Sequence, residues 1–182
     1  MLSKFSEQEK NKILLLDNAL RPKSIRRKID AIAKRVEQKL LEDSRSDMAW
    51  EAVPTEAYQS NLPDMIRSNW VFVVRPGVNT GAERHPNSHQ YMVSYKGRGD
   101  LQIWMEEDWK SNPLASSLGD PLGNRWVSIP PNVWHRALGS EENWIVVSFH
   151  TALADELIEE RPDPDDENKM NQRFYVDERK TE

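Results

Sequence analysis

The 182-residue chain contains no cysteine, which removes disulfide staples, thiolate zinc centres and thiol nucleophiles together. Any metal must then be held by nitrogen and oxygen donors. Long apolar runs are also missing: nothing approaches the roughly 18 residues of a membrane span, and Met1-Leu2-Ser3-Lys4-Phe5 lacks the apolar stretch of a signal peptide. The expected location is cytoplasmic, with no membrane partner. Histidine is sparse, with four residues at 85, 89, 135 and 150 that fall in one stretch of chain. That clustering is what brings a metal centre into consideration. With 37% hydrophobic and 30% charged residues, the composition is that of a soluble domain with one core and a generous polar surface.

Charge is uneven along the chain. Residues 1 to 44 carry four more basic than acidic side chains, whereas residues 152 to 182 carry six more acidic than basic ones. Ser6-Glu7-Gln8-Glu9 fits a capping box, which starts a helix expected to run to about Leu20, where Pro22 cannot donate the next hydrogen bond. A second helix from about Ser24 places Ile25, Ile29, Ile32, Val36 and Leu40 on one stripe, with Arg26, Arg27, Lys34 and Lys39 elsewhere. The stripe is expected to cover the rest of the domain or a homodimer interface, and the basic side chains to be a solvated face. Two helices in about 40 residues fall short of a usual DNA-reading unit, so nucleic acid is not an expected partner.

From Trp50 the texture changes to short runs of Val, Ile and aromatics broken by Gly, Pro and Asn. Strands are expected at 70–75, 89–96, 100–105, 125–129 and 144–150, a pattern that points to a barrel or sandwich. Glu106 to Asn124 reads as a long loop. Ala152 to Glu160 reads as a short helix and Arg161 to Asp166 as an exposed linker, after which Phe174-Tyr175-Val176 can dock back onto the domain. The expected division is a helical segment over 1–48, a β unit over 49–151, and a C-terminal helix with an acidic tail over 152–182.

Two segments carry the chemistry. One is Gly77-(five)-Glu83-x-His85-(four)-Gln90-(six)-Gly97; the other is Pro130-x-Asn132-x-x-His135. Together they resemble the two-motif signature of the cupin superfamily, Gly-(five)-His-x-His-(three or four)-Glu-(six)-Gly followed by Pro-x-Gly-x-x-His. The spacing matches, while Glu83 replaces a histidine and Gln90 a glutamate. The resemblance covers about residues 70 to 150 and implies an all-β cupin or jelly-roll barrel with an N-terminal helical segment. Asn132 suits the position of the motif glycine, because Asn tolerates left-handed backbone.

The resemblance places the metal ligands on Glu83, His85, Gln90 and His135. Glu83, His85 and His135 form the two-histidine, one-carboxylate set that suits Fe(II), with Zn, Ni, Mn or Cu as other ions such donors take. Gln90 offers a neutral carbonyl, as a weak ligand or a hydrogen-bonding group. Adjacent strand residues face opposite ways, so a shifted register gives His85, His89 and His135 instead. His150 reads as structural. Arg75, Arg84 and Arg98 are candidates for clamping a substrate carboxylate, and Trp104, Trp126 and Trp134 for lining a ligand pocket, with Arg75, Trp104 and Trp126 the favoured set. The resemblance implies a metal-dependent enzyme on a small molecule, a dioxygenase-type oxidoreductase with Glu83 and Gln90 in the reaction. A Lewis-acid isomerase and a non-catalytic sensing cupin are the rivals.

Overall fold

The computed structural model describes residues 5–59, 61–117, 119–166 and 169–175. Helix α1, Glu7–Ala19, opens on the capping box: Ser6 Oγ accepts from the Glu9 amide at 3.2 Å, and the Glu9 carboxylate accepts from the Ser6 amide at 3.1 Å. Helix α2, Lys23–Glu42, buries Ile25, Ile29, Ile32, Val36 and Leu40. The stripe lies on a β-sheet, in one apolar cluster with Val71, Val73, Val147 and Phe149. Each large side chain so buried is worth about 1.5 to 3 kcal/mol. Of the two expected occupants of this face, the sheet of the same chain is the one that covers it.

That sheet contains β1 (Met48–Ala52), β2 (Ser68–Val74), β3 (Gln90–Lys96), β7 (Trp126–Ile129) and β9 (Trp144–His150), in the order β1-β2-β9-β3-β7. A second sheet centres on β4 (Arg98–Met105), which pairs with β5 (Asp108–Lys110), β6 (Pro113–Ala115) and β8 (His135–Gly139). Every pairing is antiparallel. Alternation along β2 sends Val71 and Val73 to the helices and Trp70, Phe72 and Val74 to the space between the sheets. There they meet Met92, Leu101, Ile103, Val127 and Val146, the core of an all-β jelly-roll barrel. At the β3–β4 turn, Gly97 has φ +79°, and a Cβ there would lie 2.8 Å from the Asn143 carbonyl oxygen. Only glycine meets both demands without displacement.

Three segments differ from expectation. Glu106 to Asn124 is not a bare loop: it holds β5, β6 and most of a one-turn helix α3, Leu122–Arg125. Ala152 to Glu160 is not helical. It turns and enters β10, Ile158–Pro162, which forms an antiparallel hairpin with β11, Met170–Phe174. An isolated helix of that length is costly to nucleate, whereas the strand gains a ladder and buries Glu159, with Leu157 buried just before it. The expected linker consequently begins inside β10, with Arg161. After the hairpin, Tyr175 docks on the barrel, its ring 4.8 Å from that of Trp50 and 5.5 Å from that of Trp70. Phe174 is half exposed, and Val176 lies outside the described residues.

Candidate metal centre

Glu83 and His135 face each other because their backbones form a reciprocal pair: each amide donates to the other's carbonyl at 2.9 Å. The chain before β3 thus bridges β8 at Glu83, and again at Asn79 opposite Leu138. His85, two residues on, shares the face of Glu83. The turn before β8 is set by Asn132, which has φ +65° and donates its amide to the His85 carbonyl at 3.1 Å. Potential donor atoms of Glu83, His85 and His135 all lie within 4.8 Å of one another.

Both histidines are oriented by backbone carbonyls. His85 Nδ1 lies 2.9 Å from the Ile158 oxygen and His135 Nδ1 lies 3.0 Å from that of Val133. A carbonyl only accepts, so each ring in its neutral form carries its proton on Nδ1 and turns the Nε2 lone pair elsewhere, the arrangement that metal-bound histidines use. His135 Nε2 is buried without a hydrogen-bond partner and lies 3.5 Å from Glu83 Oε1. A lone pair facing a carboxylate oxygen calls for a cation or a proton between them. The donor set therefore fits a divalent ion.

Burial alone would raise the Glu83 carboxyl, but the nearness of His135 and the charge of Arg161 outweigh it and hold the group well below the usual carboxylate range. Burial pushes His85 down to about 4 against the pull of Glu83, and drives His150 well below its ordinary value. Near neutral pH, Glu83 is ionised and the His85 ring is neutral, the states that coordination requires.

Gln90 faces inward from β3. Its Nε2 donates to Ser148 Oγ at 2.9 Å, while its buried Oε1 has no partner. With Glu83 and His135 it lines a cavity of about 20 Å³, whose other walls include Phe72, Val74, Met92, Leu101 and Val146. That is room for about one water molecule. His150 lies behind, its Nε2 2.9 Å from Ser148 Oγ and its ring 5.0 Å from that of His85.

The register that brings Gln90 in turns His89 out. Its Nε2 lies 2.8 Å from Ser128 Oγ and its ring stacks on Tyr91 at 4.4 Å, so the three-histidine set is not assembled. Arg75 does not reach the cavity either: its guanidinium donates to the carbonyls of Leu40, Asp43 and Ser46, satisfying the C-terminal end of α2. Trp104 points outward from β4 against Trp109 and is partly exposed. Trp126 is fully buried on the helix side, its indole donating to Asp17 Oδ1 at 3.0 Å. Arg84 pairs with Glu160 at 2.6 Å and lies over the Trp134 ring, and Arg98 pairs with Glu141 at the surface.

Arg161 is the residue that sequence patterning missed. Its Nη2 donates to Glu83 Oε2, its Nη1 to the Thr80 carbonyl at 2.9 Å and its Nε to Glu159 Oε1 at 2.7 Å. Arg173 of β11 donates to the same Glu159 oxygen at 2.5 Å. The partners lie 78 positions apart, and no local motif announces the pairing.

The sequence matches no family profile and no curated protein. Among solved structures it is similar to the coconut allergen cocosin (16% identity, TM-score 0.45), covering 59% of this chain and 27% of that one. It is also similar to oxalate decarboxylase of Lactobacillus farciminis (12%, 0.44), over 57% and 29% of the two chains. A putative sugar phosphate isomerase from Acidithiobacillus ferrooxidans (17%, 0.45) is covered more fully, over 71% and 78%. The chain thus spans less than a third of the first two, and these distant likenesses leave function to the site itself.

Proposed function

We propose that Glu83, His85 and His135 hold a divalent metal, Fe(II) in the first place, and that the chain is a metal-dependent protein acting on a small molecule, of the dioxygenase type. The observation that carries this reading is the unpartnered His135 Nε2 facing a Glu83 carboxylate oxygen at 3.5 Å, beside a second histidine whose tautomer is fixed for coordination. A bound ion supplies Lewis acidity and, as Fe(II), redox chemistry towards dioxygen. The chain's own groups do the rest. Glu83 contributes charge, Gln90 offers an oriented amide oxygen, and the apolar walls keep bulk water away.

A second reading is favoured by the salt bridge from Arg161 to Glu83 and by the small cavity: a non-catalytic cupin that senses a ligand. Metal content separates the two. Elemental analysis of protein purified without chelator should give near-stoichiometric metal in the wild type and a loss of most of it in His85→Ala and His135→Ala. Full metal retained in both variants would remove the assignment.

A further inference from the structure

The two oxygens of Glu83 have different partners. Oε1 faces His135 Nε2, while Oε2 is held by Arg161. Arg161 is itself fixed on its other side by the Thr80 carbonyl and by Glu159, whose carboxylate is 1% exposed and also takes Arg173. A guanidinium tied at three points keeps Oε1 aimed at the histidines without taking its place.

This geometry has an electrostatic consequence. A carboxylate ligand ordinarily offsets half the charge of a divalent ion, but Arg161 cancels Glu83, and Glu159 and Arg173 cancel each other. His85 and Gln90 add no charge. The loaded centre would keep the full double charge inside an apolar wall, where screening is weak. A neutral ligand leaves that charge uncompensated; an anion compensates it. Arg161 does not line the cavity, so it acts on the site through Glu83.

We infer that the metal-loaded site selects small anionic ligands, carboxylates foremost, and that Arg161 is the positioning residue that sets this selection. The inference rests on the metal-site reading above. The 20 Å³ cavity has room for about one oxygen-sized atom, so a carboxylate would enter by a single oxygen.

The test uses the full chain loaded with Co²⁺, titrated with acetate and with the near-isosteric neutral acetamide, and followed by the visible absorption of the ion. Acetate should bind wild type on the order of tenfold tighter than acetamide, the scale of one charge-assisted hydrogen bond. Arg161→Met should still take up Co²⁺ but lose much of that preference, and Arg161→Lys should recover part of it. A merely structural role for Arg161 would leave the ratio unchanged. Equal affinity for both probes in wild type, or an undiminished preference in Arg161→Met, overturns the inference alone. Failure of wild type to bind Co²⁺ overturns the metal reading and this inference with it.

Discussion

At the scale of single residues, the balance at Gln90 is the most informative. Its neutral oxygen, at the position where the motif that the sequence resembles carries a carboxylate, is buried without a partner. Gln90→Glu should therefore tighten metal binding at least on the order of tenfold, the scale on which even outer partners of a metal act, while lowering the stability of the metal-free protein by placing a second carboxylate near Glu83. Isothermal titration with metal reads the first effect, and thermal melts of the metal-free protein read the second. His89→Ala, on the opposite face of the strand, should leave metal affinity unchanged. Asp17 gives a second residue-scale prediction. Burial opposes its ionisation, but donors from Arg125, Trp126 and Arg21 outweigh that and hold its carboxyl below the ordinary range. A depressed folded pKa means that the stabilisation is fully present above the unfolded value near about 3.9 and is lost as pH falls through the folded one. Asp17→Asn should cost about 3 kcal/mol at neutral pH, because it leaves Arg125 buried without its carboxylate, and should flatten the acid limb in urea titrations.

At the scale of elements, what was legible depended on whether a segment's partner is written into the segment. The α2 stripe and the β2 and β9 runs announce a buried face by their own periodicity, and Asn132 announces its turn by its chemistry. Glu83, His85 and His135 were readable because the motif spacing brings them to one barrel. The β10–β11 hairpin was not readable. Its strands are polar, and what orders them is remote: Arg84 on the backbone of Glu160, Tyr175 on Trp50 and Trp70, and Arg161 on Glu83. Low apolar content suggested an exposed linker from Arg161 onward, when in fact Arg161 is held between Glu83 and the buried Glu159. The same blindness assigned Arg75, Trp104 and Trp126 to a ligand, since composition alone cannot show that the backbone of α2, the solvent and Asp17 had claimed them.

At the scale of the whole molecule, the helices are part of the core. Deleting residues 1 to 44 would uncover Val71, Val73, Val147 and Phe149 along with their sheet, an apolar face large enough to associate. The truncated chain should aggregate or lose its cooperative unfolding transition, as light scattering and thermal melts would show. Because the stripe already rests on the sheet, any homodimer has to use another surface. The basic face beside the stripe should show no salt-dependent affinity for duplex DNA in a fluorescence titration at low and moderate salt. No helix among the described residues is long and apolar enough to cross a membrane.

The backbone carbonyl that orients His85 comes from Ile158, 73 positions later in the chain. The orientation of His85 is therefore complete only when the last hairpin has docked, and coordination is expected to follow that step rather than to nucleate folding. A ligand that engages only the native topology stabilises it without hastening the search. Refolding rates measured by stopped-flow should be indifferent to added metal, whereas unfolding in denaturant should slow as the ion saturates, and the kinetic lifetime of the protein would then depend on what its surroundings supply.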